Sequence, residues 1–117
     1  TATTEIYTLS LHDALPIFFF ALNSAKIQDD QKSKIDMLVE YLQNNPAAKV
    51  KVTGYADVNT GNPKINKSLS EKRAGNVADA LKAKGITTDR IMVDSKGDTV
   101  QPYKAPEENR VSICIAE

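Results

Sequence analysis

Apolar positions recur at two periods along this chain, and the switches between them divide it into elements. Phe18 to Leu22 is a short apolar run with aromatic weight; it predicts a strand, broken by Asn23-Ser24. From Asp30 to Leu42 the period becomes helical, with Ile35, Leu38, Val39 and Leu42 on one stripe. Asp29 and Asp30 suit the positive N-terminal end of that helix. Asn44-Asn45-Pro46 ends it, because proline cannot continue the hydrogen-bond ladder. Lys49 to Ala56 alternates, with Val50, Val52 and Gly54 on one face and Lys51, Thr53 and Tyr55 on the other, so it predicts a second strand. Val58 to Pro63 is rich in Asn, Thr and Gly and reads as a loop. Ser68 and Glu71 have capping-box spacing and open a second helix, whose Ala74, Val77, Ala78 and Leu81 line one face. Gly85 is placed to end that helix in a left-handed conformation. Ile91 to Val93 begins a third strand after Thr88-Asp89-Arg90, and Gly97 to Pro106 is irregular. Arg110 to Ile115 alternates, with Val111, Ile113 and Ile115 on one face. The order predicts an α/β (α+β) two-layer sandwich, βαβαββ, with a mixed sheet and both helices on one face.

Composition narrows the partners. The chain has 117 residues, 15 basic and 15 acidic, which fits one domain of ordinary make-up without the basic face that nucleic acids require. No apolar run approaches the ~20 residues that span a bilayer. Cys114 is the one cysteine, so an internal disulfide is impossible, and it reads as a small apolar strand residue. Thr1 to Ile17 resembles one reading frame of a common short-read sequencing adapter. The expectation is an artefactual leader over residues 1–17, outside the fold, and a domain over residues 18–117. The leader takes with it His12, the one histidine, together with Glu5 and Asp13, and leaves a slightly basic domain. Any signal peptide, lipid anchor or barrel that naturally precedes the domain lies upstream of view.

Catalytic patterns are missing. Without His12 no serine or cysteine triad of the usual kind can form, no cluster has zinc-ligand spacing, and no glycine-rich phosphate loop is present. Glu107 and Glu108 adjoin, but neighbours on an extended chain point apart. The reading is a binding module, not an enzyme, with no cofactor. The alternative is a small α/β enzyme using Asp57 as a base, which needs a second catalytic group that the sequence does not offer.

The block from Gly54 to Ala74 carries the positive chemistry. Asp57 follows the second strand at its carboxyl end, where α/β sheets tend to hold ligands. Arg73 is expected in the first turn of the next helix. A carboxylate and a guanidinium on a rigid frame can clamp a ligand bearing both an ammonium and a carboxylate. The alternative is an ordinary ion pair tying loop to helix, worth about 0–1 kcal/mol at a surface.

Gly54, Tyr55, Asp57, Asn66, Leu69, Ser70, Arg73 and Ala74, then Gly85-Ile86, Arg90, Gly97-Asp98, Pro102 and Asn109-Arg110-Val111, keep the order and spacing of a known pattern. In these positions the chain resembles the OmpA-like peptidoglycan-binding domain from about Phe18 to Glu117. That resemblance implies non-covalent binding of the peptidoglycan stem peptide through the free end of meso-diaminopimelate, with Asp57 accepting from its ammonium and Arg73 gripping its carboxylate. It implies a periplasmic module that ties the outer membrane of a Gram-negative cell to its wall, attached to a membrane only through the upstream part. A lipoprotein or motor-stator attachment module with the same ligand is the variant reading, and a homodimer is left open. Asn66 is read as holding the loop, with direct ligand contact as the alternative. Leu69 is read as a loop-to-helix contact or a pocket wall. Asn23 stands where the family often has an acid or amide beside the pocket, and is also a good turn residue. Arg110 is read as structural, pairing with acidic neighbours, and Tyr55 as a sheet-face residue. Two departures stand out: Phe20-Ala21-Leu22-Asn23 lacks the second aromatic common in the first strand, and Asn109-Arg110 replaces a doubled arginine.

Overall fold

The computed structural model describes residues 14–116, so His12 and most of the expected leader lie outside the described residues. Four strands and two α-helices follow in the order β1 (Ala14–Phe19), α1 (Ser33–Asn44), β2 (Val50–Gly54), α2 (Pro63–Ala83), β3 (Ile91–Ser95) and β4 (Val111–Ala116). The sheet order is β1-β4-β2-β3. β4 runs antiparallel to both neighbours, and β2 and β3 are parallel. Helix α2 makes the crossover that a parallel pair requires. The mixed sheet with two helices is the α+β architecture that the pattern predicts.

The helices share one face of the sheet. Ile35, Leu38, Val39 and Leu42 of α1 and Ala74, Val77, Ala78 and Leu81 of α2 close over Phe18, Phe20, Val50, Val52, Cys114 and Ala116. On β4 the inward residues are the small ones, Ser112, Cys114 and Ala116, all fully buried. Small side chains let α2 lie close. The larger Val111 and Ile113 point to the other face, where they meet Ile17 and Tyr103 in a second cluster flanked by Phe19 and Tyr55. Ile115 continues that outer row but is 41% exposed.

Three expectations need correction. Strand β1 runs Ala14–Phe19 rather than Phe18–Leu22, and its pairing with β4 begins at Ala14, opposite Ile115. Residues 14–17 therefore belong to the described strand. Backbone pairing and the burial of Ile17 decide this locally. Second, α2 begins at Pro63, more than a turn before the capping-box spacing suggested. Asn62 caps it by accepting from the Ile65 amide at 2.9 Å, and Pro63 fits the first helical position, where its missing N–H costs nothing. Third, α1 begins at Ser33, because Asp29–Gln31 forms a separate turn of 3₁₀-helix. Gly85 behaves as expected: at φ 98° it lets its own amide reach the Lys82 carbonyl and the Ile86 amide reach the Leu81 carbonyl. Cys114 is fully buried, and burial pushes its thiol up to about 12, which keeps it unreactive.

Gly54 sets how closely α2 approaches β2. A Cβ there would collide with the Ser70 carbonyl and lie 3.1 Å from the Ala74 nitrogen. At Gly75 a Cβ would meet nothing within 4 Å. Gly54→Ala should therefore destabilise by about 1–3 kcal/mol through overpacking against backbone. Gly75→Ala should stabilise by about 0.5–1 kcal/mol as a plain helix substitution. Urea melts of both variants check this pair; equal shifts would refute the close contact.

Candidate functional site

The buried stripe of α2 changes character halfway along. Its C-terminal half is apolar, but Asn66, Ser70 and Arg73 in the N-terminal half are polar, and all are at most 2% exposed. They sit over the end of β2 and the loops beside it. Arg73 lies mid-helix, not in the first turn as expected. Its Nε donates to the Ser24 carbonyl at 2.9 Å, one terminal nitrogen to the Tyr55 carbonyl at 2.9 Å and the other to the Ala21 carbonyl at 3.3 Å. Its guanidinium carbon also lies 5.5 Å from the centre of the Phe20 ring. The side chain thus fastens the β1–α1 loop and the end of β2 onto the helix. Burial pushes its pKa down to about 10; the Asp57 charge opposes that and the Arg110 charge adds to it. It stays charged at neutral pH.

Asp57 is 1% exposed. One oxygen accepts from the Asn59 amide at 3.1 Å and the other from Arg110 Nε at 2.8 Å. Burial works against the ionised carboxyl, but hydrogen bonds from Arg110 and Thr60, the Arg110 charge and the Asn59 amide outweigh it and hold the pKa below the usual carboxylate range. The expected convergence of Asp57 and Arg73 into one open pair needs correction: each has other partners, and neither an ion pair nor a hydrogen bond joins them. They act on each other through the field. The carboxylate's bonded partner is Arg110, 53 residues away in sequence, with 21% of its side chain exposed.

The other sequence candidates divide clearly. Asn66 is 2% exposed and donates to the Asp57 and Thr60 carbonyls and to an Asp98 carboxylate oxygen, so it pins the loop that carries Asp57. Asn23 is exposed, at φ 57°, the left-handed turn conformation that asparagine tolerates. It lies in the loop that Arg73 holds. Leu69 is half-buried on α2. Tyr55 packs beside the outer cluster and offers its carbonyl to Arg73.

Sequence reasoning missed Gln101, which donates to the Ala56 carbonyl and accepts from the Val58 and Asn109 N–H groups. Asn109, 1% exposed, closes the turn before β4 by bonding both the amide and the carbonyl of Tyr103. These amides aim Arg110 at Asp57. No periodicity marks them, because their partners lie on irregular chain. Among the described residues no group of His, Cys, Asp or Glu could hold a metal.

The site is thus one buried carboxylate between two guanidiniums. It sets an acceptor for a cation beside guanidinium donors of the kind that grip carboxylates, at the end of β2. Comparison with known proteins gives the family: the model of the OmpA family matches residues 19–112, and the chain belongs to that family. Outer membrane protein 40 of Porphyromonas gingivalis is 39% identical over 100 residues, covering 86% of this chain and 26% of that protein. A peptidoglycan-associated lipoprotein of Brucella melitensis is 26% identical, covering 98% of this chain and 61% of its own length. The chain therefore spans only part of these relatives. The crystal structure of the peptidoglycan-associated lipoprotein from Burkholderia pseudomallei superimposes with a TM-score of 0.81 at 22% identity, over 86% of this chain and 89% of that one, and shares the fold.

The Asp57–Arg110 pair should give stability a defined acid limb. Because the folded pKa lies below the unfolded one, the pair contributes fully above the unfolded carboxylate value of about 3.9 and is lost as pH falls through the folded value. Denaturant melts from pH 7 to 2 should show Asp57→Asn with lower stability at pH 7 and a shallower decline below pH 4. An unchanged acid limb would refute the assignment.

Proposed function

We propose that this domain binds peptidoglycan non-covalently, through the free ammonium and carboxylate of meso-diaminopimelate in the stem peptide, and so ties an outer membrane to the wall from the periplasm. The observation that carries this reading is the buried Asp57 carboxylate set between Arg73 and Arg110 at the end of β2. An ammonium has an acceptor there, and a carboxylate has guanidinium donors, each charge-assisted bond contributing roughly 1.5–3 kcal/mol. The names of the relatives support it, since two are peptidoglycan-associated lipoproteins and one is an outer membrane protein. Recognition needs no cofactor and no bond-making step. Binding at one site is modest, and the polymeric wall supplies many sites, so adhesion comes from number.

Arg73 holds its loops through a planar fork, and a lysine at 73 cannot reproduce three carbonyl contacts to separate segments. Isothermal titration with a diaminopimelate-containing stem peptide and its lysine-containing counterpart tests the proposal. Saturable binding that favours diaminopimelate is expected, weakened about tenfold or more by Asp57→Ala and by Arg73→Ala, with Arg73→Lys failing to restore it. Affinity untouched by either alanine would remove the site; hydrolysis of either peptide would make the chain an enzyme.

A further inference from the structure

The described Asp57 carboxylate is already occupied. Oδ1 takes the Asn59 amide, Oδ2 takes Arg110 Nε at 2.8 Å, and the group is 1% exposed. Of the three charges, Arg73 is sealed and tied to three carbonyls, Asp57 is sealed, and Arg110 alone is partly open; among the described residues it has one hydrogen-bonded acceptor, the Asp57 carboxylate. A cation that reaches Asp57 therefore takes the place of the Arg110 guanidinium. Resting on the peptidoglycan reading above, we propose that Arg110 is a displaceable counter-ion that makes the site select zwitterionic ligand ends over bare ammonium ends.

The selection follows from counting charges. An ammonium alone exchanges one cation for another at Asp57 and leaves Arg110 without a carboxylate, so the gain is small. A ligand end that carries a carboxylate beside its ammonium gives the displaced guanidinium a new anionic partner. The site then ends with two opposite-charge pairs where it began with one. Discrimination thus comes from the group that has to move, and Arg73, fixed in place, supplies the positive field behind it. Arg110 can swing because among the described residues one hydrogen bond holds it and 21% of its side chain is exposed, whereas releasing Arg73 would break its bonds to the carbonyls of Ala21, Ser24 and Tyr55 together. Gln101 and Asn109, which shape the turn before Arg110, keep it within reach of both positions.

The lysine-containing and diaminopimelate-containing stem peptides differ at that end by the carboxylate, so they are the probes. Both are titrated into the 117-residue chain and into Arg110→Gln and Arg110→Lys, with thermal melts to establish that each variant is folded. Arg110→Gln removes the competitor and the second cation together. The lysine peptide should bind it more tightly than it binds the wild type, the diaminopimelate peptide less tightly, and the preference should fall about tenfold, the worth of one charge-assisted bond. Arg110→Lys, which keeps a movable cation, should retain most of the preference. A preference unchanged in Arg110→Gln, or both affinities lowered by the same factor, would show a merely structural arginine and sink the proposal alone. If wild-type chain binds neither peptide, or Asp57→Asn binds diaminopimelate peptide as well as wild type, the peptidoglycan reading falls and takes this one with it.

Discussion

One buried guanidinium organises the functional end of this domain. Arg73 reaches from the middle of α2 to three carbonyls on two other segments, beyond the ends of β1 and β2. A planar, permanently charged fork can satisfy several acceptors while staying rigid, which an ammonium cannot. The reach depends on the close seating of α2 at Gly54, where the helix backbone touches the strand. It also depends on the small inward residues of β4. Close packing and buried charge are therefore one device: the first brings the helix down, and the second fastens loops to it.

Electrostatics follow from that fastening. The Tyr55 carbonyl held by Arg73 lies two residues before Asp57, so the carboxylate is carried to the same place by the chain itself. Burial raises the cost of every charge there, and the fold meets that cost with hydrogen bonds to backbone and with opposite charge. Asn66, Asn59, Thr60 and Gln101 hold the Asp57 loop from several sides. Buried sites of this kind recognise ligands by charge geometry more than by apolar area, which suits a small polar end group presented on a polymer.

The apolar half of this plan was legible in the amino-acid sequence. The α1 stripe, the alternation of β2, the second half of α2 and the Gly85 ending all follow from periodicity and from glycine's access to positive φ. The polar half was not. The first half of α2 buries Asn66, Ser70 and Arg73, which form no apolar stripe, so the Asn62-Pro63 start carries no periodic signal and the Ser68–Glu71 spacing imitates one. Strand β1 starts before Phe18 because its pairing with β4 runs back to Ala14, over residues whose likeness to adapter sequence hides the strand pattern. On β4 the eye follows Val111, Ile113 and Ile115, yet the helices choose the smaller face. Asp57 and Arg73 stand out in the sequence as an open pair, but each is buried on partners that the sequence does not mark, since Arg110 and Asp57 are brought together by the β2–β4 pairing.

That pairing explains why the more mobile charge sits where it does. Arg110 immediately precedes β4, which lies between β1 and β2, so its backbone is anchored by the best-supported strand of the sheet. Its side chain reaches from that anchor to Asp57 and, among the described residues, makes a single charged contact. A firm base with a loosely held tip is the arrangement in which displacement costs one interaction rather than a local unfolding. Arg73 shows the reverse, a side chain whose removal would loosen two segments. The two arginines thus differ in what their movement would cost, not in charge, and that difference lets one serve as frame and the other as the group that answers a ligand.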